Sequence, residues 1–150
     1  MSKIISCGIV PIRKVGNEIQ ILLCKPTGSG FFGMGFLKGQ VENGEDLIET
    51  AKREFSEESG NLEVELIDEG YFFTQNNPKK IIHIWPAFLK QTDTNALKIK
   101  NDGRVIGHDD ENEYIKFYSI YDLPVIFKNQ IEIAESLIND IELKKINITD

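Results

Sequence analysis

The sequence GQVENGEDLIETAKREFSEESGN, residues 39–61, carries three carboxylates near its end at positions i, i+3 and i+4: Glu54, Glu57 and Glu58. On a helix this spacing brings the three side chains to one side. Like charges at this spacing repel, and carboxylates in a last helical turn are disfavoured by a few tenths of a kcal/mol to about 1 kcal/mol each. Because hard divalent cations prefer carboxylate oxygen, the cluster indicates a site for Mg²⁺ or Mn²⁺.

A helix is predicted from Glu45 or Asp46 to Ser59, because acidic residues fill its first turn and Gly60 follows as a stop signal. Its apolar stripe consists of Leu47, Ile48, Ala51 and Phe55. At about 100° per residue, Glu58 falls inside the apolar arc, and Glu54 and Glu57 border it. The solvated side is expected to carry Glu45, Glu49, Lys52 and Ser56. We therefore expect the three carboxylates to face the body of the protein.

The remaining sequence predicts strands on both sides of this helix and a second helix near the end of the chain. Strand-like runs lie at residues 4–13, 18–24, 62–67, 71–74, 81–89 and 113–119. The first two are expected to form a hairpin, with a Gly-rich loop over 25–39 and a polar loop over 91–112. Helical spacing predicts an amphipathic helix over 125–143. This order predicts an α/β (α+β) fold, with helices on both faces of a mixed sheet in one domain, residues 1–150.

The composition narrows the function classes. The chain is 41% hydrophobic and 27% charged, as in ordinary globular proteins. A net charge of -7 without a Lys/Arg stripe argues against an extended nucleic-acid surface. The sequence contains no apolar run near the roughly 18 residues of a membrane span. Cys7 and Cys24 lack metal-type or disulfide-type spacing, so we interpret them as buried thiols of a cytoplasmic protein.

Glycine, glutamate and arginine residues recur at fixed spacing in residues 39–61: Gly39, Glu45, Arg53, Glu54, Glu57, Glu58 and Gly60. They resemble the Nudix box, in which Gly, five residues, Glu, seven residues, Arg-Glu, an aliphatic, any residue, Glu-Glu, any residue, Gly and an aliphatic follow one another. Phe55 stands at an aliphatic position, and Asn61 replaces the last aliphatic residue. Neither departure affects a charged position.

The resemblance implies the α/β/α sandwich of Nudix hydrolases, which hydrolyse a nucleoside diphosphate linked to another group. It implies that Glu54, Glu57 and Glu58 bind Mg²⁺ or Mn²⁺. One of the three, most often the residue at the Glu54 position, would also act as the base. The chemistry expected is attack of an activated water on phosphorus, without a covalent nucleophile.

The resemblance also assigns supporting residues. Glu45 and Arg53 would hold the metal-binding carboxylates in place, and the backbone carbonyl of Lys38 matches a position that often adds a metal ligand. Many members contribute one more glutamate from a loop before a late strand. Glu111 fits that role best and Glu113 is second, although a solvated acidic loop explains either residue equally well.

The substrate is less closely defined. The segment FLKGQVENGE, residues 36–45, resembles the box of diadenosine polyphosphate hydrolases and some nucleoside triphosphate pyrophosphatases, but Leu37 replaces a Pro and Gln40 a His. Lys38 is a candidate phosphate contact, and Gly39 lets the backbone approach a ligand closely. Candidates for stacking a base are Phe31, Phe32, Phe36, Tyr71, Phe73, Trp85 and Tyr114. The alternative for each aromatic residue is a place in the core.

We expect a small-molecule nucleotide substrate, either a dinucleoside polyphosphate or a nucleoside triphosphate. The alternatives are hydrolysis of ADP-ribose or a nucleotide sugar, and a Nudix-fold module that senses a nucleotide without cleaving it. The protein is expected to be a monomer or a homodimer that does not enter a membrane.

Overall fold

The computed structural model describes residues 2–28, 30, 33–90 and 111–148. The elements in chain order are β1 (Ile4–Val15), β2 (Glu18–Pro26), β3 (Lys38–Gln40), α1 (Leu47–Ser59), β4 (Val64–Leu66), β5 (Phe73–Asn76), β6 (Lys80–Leu89), β7 (Asn112–Ser119) and α2 (Ile131–Glu142). Within these residues, seven strands form one sheet in the order β4-β6-β1-β2-β7, while β3 pairs with β1 and β5 with β6. β1 and β6 run parallel and the other pairs antiparallel, so the sheet is mixed, as predicted.

The two helices cover opposite faces of the sheet, because β1 directs alternate side chains into two separate cores. Ile9 belongs to a cluster that also contains Phe55 of α1. Val10, the next residue, belongs to a second cluster that contains Leu137 of α2. The α/β/α sandwich expected from the sequence is therefore confirmed.

Along one edge, β1 pairs first with β3 and then with β2. β3 comes directly before α1 in the chain, so its pairing with β1 brings the chain to the start of that helix. Residues 12–15 of β1 pair with β2, whereas residues 6–8 pair with β3. Pro11, which has no backbone N–H to donate, lies between these two segments. A Cβ atom at Gly8 would lie 2.0 Å from the carbonyl oxygen of Leu37, so β3 approaches β1 this closely only because residue 8 is glycine.

The helix predicted over residues 45–59 is α1, and it ends where expected. Gly60 has a φ of 72° and donates its backbone N–H to the carbonyl of Ser56, as a left-handed C-cap does. The helix begins at Leu47, after the N-cap Asp46, so Glu45 lies outside it. The expectation that Glu45 lies on the solvated side of this helix is therefore wrong, and Glu45 is only partly exposed.

The helix predicted over residues 125–143 begins six residues later, at Ile131. The intervening backbone is held by the Gly-rich segment instead. Met34 donates its N–H to the carbonyl of Val125 at 2.8 Å, and Phe127 donates to the carbonyl of Met34 at 3.0 Å. These bonds satisfy the backbone groups in an extended segment, and a helix is not needed there.

Other boundaries differ by a few residues. The strand predicted over 71–74 runs from Phe73 to Asn76, because Tyr71 closes a turn by donating its N–H to the carbonyl of Asp68 at 3.1 Å. The strand predicted over 62–67 shortens to Val64–Leu66. β3 lies in the predicted Gly-rich loop and was not expected. Most of the polar loop predicted over 91–112, together with Phe31 and Phe32, lies outside the described residues.

Candidate active site

The carboxylate of Glu54 lies directly against the backbone of Gly39. Cys7 of β1 pairs with Gly39 of β3, and α1 packs beside both strands. A Cβ atom at residue 39 would lie 2.0 Å from the Cδ of Glu54 and 2.3 Å from both carboxylate oxygens. The glycine predicted as a ligand-approach position is thus needed, first of all, to leave room for a carboxylate.

Three carboxylates from two parts of the chain converge beside Gly39. Oxygens of Glu54, Glu58 and Glu111 all lie within 4.8 Å of one another. Glu54 and Glu58 are buried at 9% and 4% exposure, whereas Glu111 is exposed. This arrangement brings the favoured extra glutamate, Glu111, to the carboxylates of the box; Glu113 is not in the group.

β7 and its neighbours position the residues that meet α1 here. The carbonyl of Glu111 accepts a 2.8 Å hydrogen bond from the N–H of Thr27, just after β2. The pairing of β2 with β7 shifts register between Lys25 and Pro26, and such an irregularity re-aims the strand. The next residue, Asn112, donates its side-chain amide to Oε1 of Glu58 at 2.7 Å. Asn112 therefore orients one of the clustered carboxylates.

Glu57 differs from its two neighbours on the helix. Its side chain is 58% exposed, and Oε2 lies 3.6 Å from Nη1 of Arg53. It is not in the group formed by Glu54, Glu58 and Glu111. The expectation that all three box carboxylates face the body of the protein is therefore wrong for Glu57, which borders the apolar arc on its far side.

Arg53 holds the cluster through a set of charged hydrogen bonds. Its Nε and Nη2 donate to Oε2 and Oε1 of Glu45 at 2.7 and 3.0 Å, a bidentate pair. Nη1 donates to Oε1 of Glu54 at 2.7 Å, and Nη2 also donates to the carbonyl of Gln40 at 3.1 Å. Thr50 adds a hydroxyl donor to Glu45 at 2.9 Å. Arg53 thus ties β3, the segment before α1 and Glu54 into one unit.

These contacts shift the pKa values of the groups in opposite directions. Hydrogen bonds, above all from Arg53, lower the pKa of Glu45 to about 2. The same pairing raises the pKa of Arg53 above its usual value. Burial raises the pKa of Glu54, because desolvation of its charged form outweighs the opposing effect of Arg53. Glu45 is therefore a fixed anion that orients Arg53, whereas burial makes the charge of Glu54 costly unless a cation lies beside it.

The cluster opens into two adjoining clefts of about 410 and 220 Å³. Both are lined by Lys38 and Glu111; the larger also contains Glu54 and the smaller Glu58. Lys80 and Ser6 line the larger cleft as well. Burial, together with the neighbouring Lys38, lowers the pKa of Lys80 to about 8. The clefts therefore carry both carboxylates suited to a metal and ammonium groups suited to an anion.

The aromatic candidates that the structure describes lie in or against the two cores. Phe36 is 2% exposed and lines the smaller cleft, where its N–H donates to Oε1 of Gln130 at 2.8 Å. Tyr71 packs against the α2 core, donates its hydroxyl to Asp140 and lines neither cleft. Trp85 donates its indole N–H to the carbonyl of Glu69 at 2.8 Å.

Four residues of the clefts were not among the candidates from the sequence: Ser6, Lys80, Asn112 and Gln130. A clue existed for Asn112, since it follows the favoured glutamate immediately. Ser6 and Lys80 are single polar residues that strand pairing brings to the larger cleft. Gln130, the N-cap of α2, reaches the smaller cleft, where it accepts the N–H of Phe36.

A family comparison agrees with this geometry. The model of the NUDIX domain matches residues 3–137. The chain belongs to the NUDIX domain family. The Nudix hydrolase resemblance noted for residues 39–61 is therefore confirmed over nearly the whole chain.

Solved structures with the same fold come from several organisms. An Ap4A hydrolase binary complex from C. elegans is 22% identical, with 95% of this chain and 97% of that chain covered and a TM-score of 0.63. A MutT NUDIX hydrolase from Burkholderia pseudomallei is 18% identical, with 90% and 98% covered and a TM-score of 0.63. The NUDIX domain of Shewanella oneidensis NrtR complexed with ADP ribose is 13% identical, with 94% and 90% covered and a TM-score of 0.63. At these identities the likeness establishes the fold alone. Among the residues described, no helix is long and apolar enough to cross a membrane.

Proposed function

We propose that this Nudix protein is a single-domain enzyme that hydrolyses a diphosphate linkage in a nucleoside diphosphate derivative, with Mg²⁺ or Mn²⁺ as cofactor. The observation that carries the proposal is the convergence of Glu54, Glu58 and Glu111 within 4.8 Å beside an open cleft. Carboxylates of like charge at this separation repel unless a cation lies among them. Their hard oxygen donors fit Mg²⁺ or Mn²⁺, and the backbone carbonyl of Lys38 is proposed as a further donor.

When bound, a divalent cation would neutralise charge on the diphosphate and lower the pKa of a water molecule. The chain supplies the rest. Glu54 is proposed to accept the proton of the attacking water, as its place in the box implies. Arg53 and Glu45 keep Glu54 in one orientation, and Asn112 does the same for Glu58. Glu57, which lies on the exposed side of the site, is proposed to be a further metal ligand, as its place in the box implies.

The substrate we favour is a dinucleoside polyphosphate or a nucleoside triphosphate. The segment around Lys38 supports this class, since it resembles the box of enzymes that act on such compounds. The solved structures do not choose between classes, because their titles include both an Ap4A hydrolase and a complex with ADP ribose. ADP-ribose is therefore part of the test.

The test measures product release from ATP, diadenosine tetraphosphate, ADP-ribose and a nucleotide sugar, with and without Mg²⁺ or Mn²⁺. Glu58→Gln should lower Mg²⁺-dependent turnover more than about 100-fold. Removing a residue that only hydrogen-bonds to a metal ligand already lowers metal affinity or activity about 10- to 100-fold, and Glu58 is proposed to bind the metal directly. Glu57→Gln is expected to lower turnover as well. Glu49→Gln is the matched control, because Glu49 is exposed on the same helix.

Two results would contradict the proposal. If the wild-type protein releases no product from any of these substrates with either metal, the enzyme proposal fails and a nucleotide-sensing role gains. If Glu58→Gln retains the turnover of Glu49→Gln, the assignment of the metal site fails.

A further inference from the structure

The backbone passes from one neighbouring strand to another between Gly35 and Lys38. Gly35 exchanges two backbone hydrogen bonds with Cys24 of β2, at 2.8 and 3.0 Å, whereas Lys38 pairs with Gly8 of β1. We call residues 35–38 the crossing segment. Buried backbone N–H groups are rarely left unpaired, so the residues between the two pairings need acceptors from elsewhere in the fold.

The side chain of Gln130 supplies such an acceptor. Its Oε1 accepts the N–H of Phe36 at 2.8 Å, across 94 residues of sequence. Gln130 is 4% exposed and Phe36 is 2% exposed, so the hydrogen bond is buried. A Cβ atom at Gly35 would lie 2.5 Å from Oε1 and 2.7 Å from Nε2 of Gln130, which places the amide directly against that backbone. Gln130 therefore contacts two consecutive residues of the crossing segment.

The place of Gln130 in α2 does not explain a glutamine there. Gln130 is the N-cap residue of α2, yet its side chain makes no cap hydrogen bond. Short side chains such as Ser, Thr, Asp and Asn are favoured at this position, because they bond the first N–H groups of the helix. Here the N–H of Glu132 donates to Oε1 of Gln75 at 2.9 Å instead. The side chain of Gln130 thus serves the crossing segment and not its own helix.

The crossing segment leads directly into the candidate metal site. Gln130 and Lys38 both line the smaller cleft. Lys38, whose carbonyl is the proposed metal donor, follows Phe36 by two residues. The next residue, Gly39, has its backbone against the carboxylate of Glu54. A shift at Phe36 would therefore move both the Lys38 carbonyl and the backbone surface that Glu54 contacts.

We propose that Gln130 is a positioning residue for the metal site and acts by fixing the crossing segment. This rests on the proposed metal-dependent hydrolysis. The oxygen of Gln130 holds the N–H of Phe36, and this bond sets the direction of the Lys38 carbonyl and the place of Gly39 against Glu54. Residues that hold metal ligands in place typically contribute about 10- to 100-fold to metal affinity or activity.

The experiment compares Gln130→Met and Gln130→Glu with the wild type. Methionine has a similar length but offers no carbonyl oxygen to Phe36, whereas glutamate keeps an acceptor there. Gln130→Met should lower kcat about 10- to 100-fold, raise the dissociation constant for Mn²⁺ at least about 10-fold and change KM less than about 3-fold. Gln130→Glu should restore most of the kcat and of the Mn²⁺ affinity. The proposal is overturned if Gln130→Glu is as impaired as Gln130→Met.

Gln75→Met is the matched control, because Gln75 is also 4% exposed and its Oε1 also accepts a backbone N–H, that of Glu132. Gln75 lines neither cleft, and its Nε2 makes two further hydrogen bonds. Gln75→Met should therefore lose at least as much stability in urea unfolding as Gln130→Met, and it should keep the wild-type kcat and Mn²⁺ affinity. If both variants lose kcat and Mn²⁺ affinity alike, the role of Gln130 is only structural and the proposal is overturned.

Mn²⁺ binding in the absence of nucleotide separates this inference from the proposed hydrolysis. Electron paramagnetic resonance of free Mn²⁺ measures the dissociation constant. If no nucleotide is hydrolysed, but Gln130→Met binds Mn²⁺ at least about 10-fold more weakly than the wild type and Gln75→Met do, the proposed function fails and the positioning role stands. If Mn²⁺ does not bind the wild type, or binds Gln130→Met equally well, the positioning role fails whatever the hydrolysis assay shows.

Discussion

Gly39→Ala should disable the site through a single added methyl group. That Cβ atom would lie 2.0 Å from Cδ of Glu54, whereas carbon atoms in contact are ordinarily about 3.5–4.0 Å apart. The carboxylate must therefore move by about 1.5–2 Å from its place beside Glu58 and Glu111. Since a misplacement of about 1 Å costs about 100-fold in rate, kcat/KM should fall at least about 100-fold. Steady-state kinetics with Mg²⁺ and the best substrate of the panel measures this loss.

The stability of Gly39→Ala should change much less than its activity. The obstructing group is the end of a flexible side chain, so the expected cost is about 1–3 kcal/mol in the free energy of unfolding. Gly44→Ala is a suitable control. Gly44 has a φ of +83° with nothing within 4 Å of an added Cβ, so alanine there strains the backbone by about 1–2 kcal/mol without touching the site. We expect Gly44→Ala to lose similar stability and to keep its activity.

A double-mutant cycle shows whether the effect passes through Glu54. In a Glu54→Gln background, where catalysis is already impaired, Gly39→Ala should cause little further loss. Near-wild-type kcat/KM in Gly39→Ala would refute the reasoning. A loss that is equally large in both backgrounds would refute it as well, because the glycine would then act by a route other than Glu54.

Two other predictions concern stability. Because the pKa of Glu45 is lowered from 4.5 to about 2 in the folded protein, its charged form stabilises the fold above about pH 4.5, and this contribution is lost as the pH falls toward about 2. Glu45→Gln should therefore be less stable than the wild type in urea unfolding at pH 7, and the difference should narrow between pH 5 and pH 3; a difference independent of pH would contradict this. Gln130→Leu should cost about 1–3 kcal/mol in the free energy of unfolding, because it leaves the buried N–H of Phe36 without its acceptor. A change below about 0.5 kcal/mol would show that water or another group replaces the amide.

The sequence correctly predicted the elements whose formation depends on residues close together in the chain, namely α1 and the hairpin of β1 and β2. The helix over 45–59 was located within two residues, because the apolar period and Gly60 are both properties of the local sequence. The hairpin of β1 and β2 was predicted by two apolar runs that flank Gly16, which has a φ of +61°. β3 was missed, because a strand of three residues in a Gly-rich loop exists only where β1 offers it an edge.

The assignment of helix faces at about 100° per residue was right for two of the three box carboxylates and wrong for Glu57 and Glu45. It placed Glu54 and Glu58 at the protein side, and both are buried. It placed Glu57 on the same side, but the side chain of Glu57 is mostly exposed. A residue at the border of the apolar arc is buried only if another element of the fold lies beside it. Glu45 was put on the solvated side because the predicted helix began too early; outside the helix, it turns back to Arg53.

The sequence by itself determined the family and the helix that carries the carboxylates, because fixed spacing on one helix is a local property. Tertiary structure decided which carboxylates meet: Glu111 reaches Glu54 and Glu58 through the pairing of β2 with β7. It also decided why residue 39 is glycine, since only packing puts a carboxylate against that backbone. The parallel pairing of β1 with β6 brings Lys80 to Ser6 and Lys38 across a long stretch of sequence, and no local pattern encodes such a meeting.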